Sequence, residues 1–506
     1  MYETGAWVLL ESTLADLPAD LRWLFESGAV TVEQLAALHN TFGVTTVADL
    51  AAVLREHSPL DLAGFNPAVE TAIGRALPGL RASIPRIPLG RASVIAEPLL
   101  NLLRSATGVN WVEPAGSLRR GQDMVGDIEI VASMADPARA IEQIATLPDE
   151  ARWLHRSERR LHLIVDRVQV AVRFPEPSSA GATLLYLTGS AEHFSGLQAR
   201  AAAAGCRLTS AGLYGSDGAL KPAANEDEIY SALGLPTIAP EIRNGDDELT
   251  AADKGALPAL VSRADIRGDL HMHSTWSDGR DSIESMVLMC RSLGYEYIAI
   301  TDHSPHSAAS RNLTVDGAKR QAEEIAALRI LYPDIAILHG CEVDILPDGR
   351  LDFPDRVLQK FDIVLASLHE RAGHGPEQLM RRYVAAMNHP LVNLITHPTN
   401  RLVPSRAGYD LDYDRLFEAA VTTETVVEID GAPSHLDLDG ALARRAIAAG
   451  ATVAIDSDCH RAEMLDRQMN LGILTARRGW VEPRHVINTR PLADVRATIT
   501  RKRAGS

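Results

Sequence analysis

From Ile266 to about residue 490 one unit recurs: a short apolar, β-branched run, a polar cluster at its end, then a helical stretch. The runs are "IRGDLHMHS", "YEYIAITDHS", "IAILHGCEVDI", "FDIVLASLHE", "LVNLITHPT", "TVVEIDG" and "ATVAIDSDCH". Segments such as "DSIESMVLMCRSLG", "DGAKRQAEEIAALRILY", "GPEQLMRRYVAAMN" and "DGALARRAIAAG" fall between them. Continuously apolar strands alternating with helices require a parallel sheet covered on both faces. Seven such units predict a closed or nearly closed barrel related to the (β/α)8 type, whose working residues lie at the C-terminal strand ends.

Those ends are where imidazoles and carboxylates collect. His271, His273, Asp278, His303, Glu342, His369, His397, Asp458 and His460 all end or follow apolar runs. His39, His57, His155, His162, His193, His306 and His374 lack that placement. Two histidines one residue apart on a strand share a face, because strand side chains alternate with period two. Strand-end histidines also serve as hydrogen-bonding caps, but random polar decoration would not choose strand ends so regularly. Imidazoles and carboxylates without thiolates favour zinc, manganese or iron over calcium. Nine ligands exceed the needs of one ion, which predicts two or three. Clustered cations suit phosphoester hydrolysis, one generating hydroxide and the others holding phosphate oxygens.

"DLHMHSTWSDG", "ITDHS", "GCEVDI", "ASLHE", "ITHP" and "IDSDCH" resemble the successive metal motifs of the polymerase-and-histidinol-phosphatase (PHP) family over about residues 266–490. The resemblance implies a distorted (β/α)7 barrel, a trinuclear site of manganese, zinc or iron, and phosphoesterase activity. All nine ligand positions of that pattern carry liganding residue types. Cys459, between Asp458 and His460, reads as a small buried residue.

In the first half the informative stretch is "VEPAGSLRRGQDMVGDIEIVAS", Val112 to Ser133. Gly116 and Ser117 would offer backbone N–H groups to phosphate oxygens. Strand alternation would place Asp127 and Glu129 on one face, able to bridge Mg²⁺ ions beneath a triphosphate. With its context this stretch resembles bacterial family X DNA polymerases that carry a C-terminal PHP domain. "LLYLTGSAEHFSGLQARAAAAG" is similar to that family's nucleotide-sugar segment, which implies binding roles for Tyr186, Thr188 and Gly189 alongside Arg120. "NEDEIYSALGLPTIAPEIRNGDDE" is similar to its thumb. "GAVTVEQLAALHNTFGVTTVADL" and "LAGFNPAVETAIGRALPGLR" resemble helix-hairpin-helix elements, which hold DNA phosphates through loop amides.

The chain departs from the polymerase pattern at several points. Where that pattern has two strand aspartates and a third on a neighbouring strand, this chain has Asp127, Glu129 and, within "DRVQVAVRF", Ala171. Asp166 lies nearby but reads as a hairpin-turn residue. Losing a general base removes on the order of 10² to 10⁴ in rate. The second hairpin has "GFNP" in place of a glycine-rich turn, and residues 1–30 are short for a complete lyase subdomain. No lysine precedes Lys221, so Schiff-base lyase chemistry has no nucleophile. The polymerase half is therefore expected to be weakened or inactive, retaining DNA or nucleotide binding, with the arginines of "RWLHRSERRLHL" (Arg152, Arg156, Arg159, Arg160) facing either a phosphate backbone or solvent.

Composition bounds these readings. The net charge of −16 and a total of five lysines argue against broad attraction to phosphate backbones, so DNA contacts would rely on arginine and backbone amides. No apolar run nears the roughly 20 residues that span a bilayer. The opening "MYETGAWVLLESTLADLPAD" lacks a basic leader region, and four dispersed cysteines fit a reducing, cytoplasmic setting. The expectation is a multidomain α/β protein. Helical hairpin elements occupy 1–88, a nucleotidyltransferase palm 89–178, a thumb 179–245, a polar linker 246–265, a PHP barrel 266–490 and a basic tail 491–506. The expected function is metal-dependent 3′–5′ exonuclease or 3′-end processing on gapped or single-stranded DNA, using two or three Mn²⁺ or Zn²⁺ ions, with Mg²⁺ and dNTP at the polymerase-like site as an option. A gap-filling polymerase with exonuclease and a small-molecule phosphatase are the alternatives; oligomeric state is left open.

Overall fold

A computed structural model describes residues 21, 24–25, 27–42, 44, 49–50, 64–83, 86–145, 151–307 and 309–504. Parts of the first expected helical hairpin, and the expected short lyase segment up to residue 20, lie outside the described residues. The chain forms two compact units, Met1–Ala256 and Leu257–Ser506.

In the first unit, helix Val32–Phe42 begins in a capping box, the Thr31 and Gln34 side chains each accepting the other's backbone N–H. In "GFNP", Gly64 has a positive φ of 85°, and the Asn66 side chain accepts the amides of Ala68 and Val69 as helix Pro67–Ser83 starts. An asparagine cap with proline in the first turn thus does the work expected of a glycine-rich turn. The palm is a mixed sheet of β1 (Val109–Pro114), β2 (Ile128–Met134), β3 (Ala151–Arg156), β4 (Arg160–Val165) and β5 (Val168–Arg173), in the order β1-β2-β5-β4-β3. Only β2 and β5 run parallel among its paired strands. Asp166 and Arg167 make the β4–β5 turn with positive φ, as "VDRV" predicts. Helices Ala180–Thr188, Ala191–Ala203 and Glu226–Ala232 follow.

The stretch read as a linker divides between the units. Helix Glu248–Asp253 belongs to the first unit, where buried Glu248 bonds His193 at 2.7 Å. Residues from Leu257 belong to the second.

The second unit is a parallel seven-stranded barrel in sequential order: β6 (Gly268–Asp269), β7 (Tyr297–Ile300), β8 (Ala336–Asp344), β9 (Ile363–Ser367), β10 (Leu394–Ile395), β11 (Val426–Asp430) and β12 (Val453–Asp456). A parallel bridge between Met272 and Cys459 joins the chain after β12 to that after β6 and closes the ring. Period-two alternation then explains the site. Leu338, Ile363, Leu365, Val426 and Ala454 fill the barrel interior. Continuing inward along the same faces are Gly340, Glu342 and Asp344 on β8, Ser367 at the end of β9 and His369 after it, Glu428 and Asp430 on β11, and Asp456 at the end of β12 with Asp458 and His460 after it. Apolar side chains occupy the lower layers, and acids and imidazoles the top.

The tail is not a loose basic end. Leu492–Ala504 forms a helix whose Val495 and Ile499 are buried in the barrel's interior cluster. Their spacing sets them on one helical face, so Arg501, Lys502 and Arg503 disguise an apolar stripe.

Candidate metal centre

All nine strand-end residues come together. His271 and His273 stand with their Nε2 atoms 3.1 Å apart. Glu342 is central: its carboxylate lies 2.6 Å from His303 Nδ1, 2.9 Å from His397 Nε2, 3.4 Å from His369, and 3.7 Å from both His271 and His273. Asp458 approaches His273 at 3.0 Å and His271 at 3.5 Å, and Asp278 approaches His460 at 3.3 Å and His303 at 3.6 Å. Three groupings recur within this cluster: His273, Asp278, His303 and His460; His271, His273 and Glu342; and His303, Glu342 and His369.

The donor set fits cations. His303 Nδ1 and Glu342 Oε2 are buried 2.6 Å apart, and no hydrogen bond of good geometry satisfies either atom, which leaves both available to a cation. Nδ1 of His397 is likewise buried without a hydrogen-bond partner. His397 and Asp458 hold positive φ angles of 25° and 48°, conformations that cost a non-glycine residue energy and that concentrate at functional sites.

Electrostatics points the same way. Burial disfavours charge at Glu342, Asp458, His369, His460 and His273. Glu342 is nevertheless held well below the carboxylate range by His303 and His369. Asp458 is held low by His271. Although burial opposes it, Glu342 and Asp344 raise His369 to about 10, and the Asp278 bond and Asp458 raise His460 to about 9. His273 moves to about 4 through burial and the neighbouring His303 and His460. At His369 and His460 the neighbouring carboxylates thus favour positive charge, the condition a cation would satisfy.

A ring of supporting residues orients the cluster, and the motif spacing alone did not mark them as such. Glu428 accepts from His271 Nδ1 at 2.6 Å, turning Nε2 toward His273; its other oxygen takes the His397 amide at 2.6 Å. Asp344 lies 3.0 Å from His369 Nδ1. Asp302 accepts from Ser274, Ser277 and Gln321, pinning the loop that carries His273 and Asp278. Carboxylates behind ligating histidines fix the tautomer and ring orientation. Cys459 is buried, and its Sγ reaches the Arg461 carbonyl.

The polymerase-like residues are arranged differently. Asp127 precedes β2 and is half-buried, while Glu129 is on it, buried and directly paired in register with Ala171 of β5. Glu129 does not join Asp127 as an open carboxylate: Arg173 donates to both its oxygens, at 3.0 and 3.2 Å, and to Asp49 at 2.5 Å. Arg173 follows Ala171 by two residues on the same strand face, so a guanidinium occupies the neighbourhood where the expected pattern wants a third acid. Gly116 and Ser117 open the short helix Gly116–Arg119. Arg119 donates to the Thr188 hydroxyl at 2.9 Å and Arg120 to the Thr188 carbonyl, and Gly189, with a φ of 68°, follows. Tyr186 lines a cleft of about 370 Å³ with Arg159, Arg160, Arg173 and Thr183.

Comparison with known proteins fits both units. The DNA polymerase beta thumb family matches residues 183–244, and the PHP domain family matches residues 269–410. The "DNA polymerase/3'-5' exonuclease PolX" of Bacillus subtilis is 36% identical over 503 residues, covering 99% of this chain and 88% of that protein. The chain belongs to the PolX family. A "Probable phosphatase" of Syntrophotalea carbinolica is 30% identical over 181 residues, 34% of this chain and 68% of that protein. Another, from Caldanaerobacter subterraneus subsp. tengcongensis, is 31% identical over 177 residues, 33% of this chain and 65% of its own length. The expectation of a family X chain with a PHP barrel is thereby met, and the PHP domain is of a metal-dependent hydrolase type. Among the described residues no helix is long and apolar enough to cross a membrane.

Proposed function

We propose that this chain is a cytoplasmic, metal-dependent phosphoesterase that removes nucleotides from DNA 3′ ends, as a 3′–5′ exonuclease or 3′-end processing enzyme in repair. The observation that carries the reading is the gathering of nine imidazoles and carboxylates, with five of the imidazoles around the central Glu342. Those nine residues would hold two or three ions of Mn²⁺ or Zn²⁺. When bound, such ions lower the pKa of water to make hydroxide and neutralise phosphate oxygens. The chain's own contribution is orientation. Glu342 bridges the groups of His271, His303, His369 and His397, Glu428 and Asp344 fix the histidines behind them, and Asp278 with His460 closes the outer edge.

The likeness to phosphatases through the barrel alone favours a second reading, a phosphatase for small phosphate esters. The thumb match and the extent of the likeness to the B. subtilis protein favour DNA.

In the same proposal the polymerase site is weakened, because Ala171 offers no base and Arg173 holds Glu129. Residual gap-filling through Asp127 with Mg²⁺ and dNTP is the alternative. The test is a 5′-labelled gapped duplex with Mn²⁺ and dNTPs, scored for shortening and extension. Wild type should shorten the primer and extend it at least about 100-fold more slowly than the Ala171→Asp variant. Robust extension by wild type that disappears in Asp127→Ala would establish the alternative, and hydrolysis of a phosphomonoester with intact DNA would establish the phosphatase.

A further inference from the structure

Beyond the nine residues, Asp430 and His435 bring ligand atoms within 4.8 Å of each other and of Asp458. Asp430 ends β11 and is fully buried; one of its oxygens accepts the Ala432 amide at 2.6 Å, but Oδ2 has no hydrogen-bond partner. His435 Nδ1 is also buried without one. A buried carboxylate oxygen and a buried imidazole nitrogen left unsatisfied in one place is costly unless something else satisfies them.

This corner is built rather than incidental. Asp430 and Asp437 exchange both backbone hydrogen bonds, at 2.6 and 3.2 Å, and close a hairpin that carries His435. Arg401 donates to the His435 carbonyl at 2.9 Å and also grips the Leu436 carbonyl. The His435 ring stacks on His397, with centroids 5.2 Å apart and planes 27° apart. Glu428 and Asp458 lie close enough to Asp430 to crowd three carboxylates together here. A mixed nitrogen and oxygen donor set of this kind suits zinc or manganese.

We propose that Asp430, His435 and Asp458 form a further divalent-cation position that shares Asp458 with the nine-residue cluster. It rests on the reading of those nine as metal ligands. Three protein ligands leave coordination places free, where a phosphate oxygen of a substrate would enter. The position is thus suited to a more exchangeable ion than those enclosed around Glu342.

The full chain, stripped with a chelator and re-equilibrated with Zn²⁺, provides the test by elemental analysis. Asp430→Asn and His435→Gln should each retain one zinc per chain fewer than wild type, with the remainder unchanged. His435→Gln, at a partly exposed position, carries the test should Asp430→Asn fail to fold. Equal, non-zero counts in wild type and both variants would overturn this proposal alone. A wild type that retains no zinc would overturn both it and the reading of the nine ligands. Loss of every ion from a folded variant would also overturn it, since the position would then not be separable.

Discussion

At the residue scale, the charge states of the cluster make a pH prediction. His369 and His460, raised to about 10 and 9, carry protons at neutral pH and must release them to bind a cation. Metal affinity should therefore rise from pH 6 to pH 9, with proton release on binding. Titration calorimetry in two buffers of different ionisation enthalpy checks this, and a pH-independent affinity without released protons would contradict it. A structural prediction concerns Glu226, which binds fully buried Arg243 at 2.6 and 3.0 Å and Arg119 at 2.8 Å. Burial alone would raise its pKa, but the two guanidiniums outweigh that and bring it to about 2. Its contribution is complete above the ordinary carboxylate pKa and is lost as pH falls toward 2. Glu226→Gln should destabilise the first unit by about 3–5 kcal/mol, since Arg243 is left buried and unneutralised. Denaturant unfolding measures it, and a loss below about 1 kcal/mol would count against the pairing as described. The nine cluster residues were legible in the sequence because each follows an apolar run. His435 was not, because it sits on a hairpin loop whose position depends on Arg401 and on the Asp430–Asp437 pairing. The capture of Glu129 was equally hidden, since Arg173 and Asp49 are 44 and 80 residues away from it.

At the element scale, the barrel strands were readable because both periodicities, two in strands and 3.6 in helices, were strong. The terminal helix was masked by its charges. It also carries a pH signature. Lys502 is buried against the Met387 carbonyl, at 2.9 Å, and the Thr425 hydroxyl, and burial lowers its pKa to about 7. A basic group depressed in the folded state binds more protons when unfolded, so stability should rise as pH climbs from about 7 toward 10. Thermal unfolding across that range should show the rise, and Lys502→Met should flatten it. An equal slope in both proteins would remove Lys502 as its source.

At the scale of the whole molecule, one family likeness spans nearly the entire chain, and the two units arrange their acids differently. The second gathers five imidazoles around one carboxylate, Glu342. The first pairs its strand glutamate with an arginine and has alanine opposite. Under the proposed function, hydrolysis belongs to the barrel and the first unit engages DNA. The most direct measurement is digestion of a 3′-labelled oligonucleotide by the full chain with Mn²⁺, comparing wild type with His271→Ala and His303→Ala. Label release should fall at least about 100-fold in both variants while their circular dichroism is retained. Undiminished release by the folded variants would contradict the proposed function.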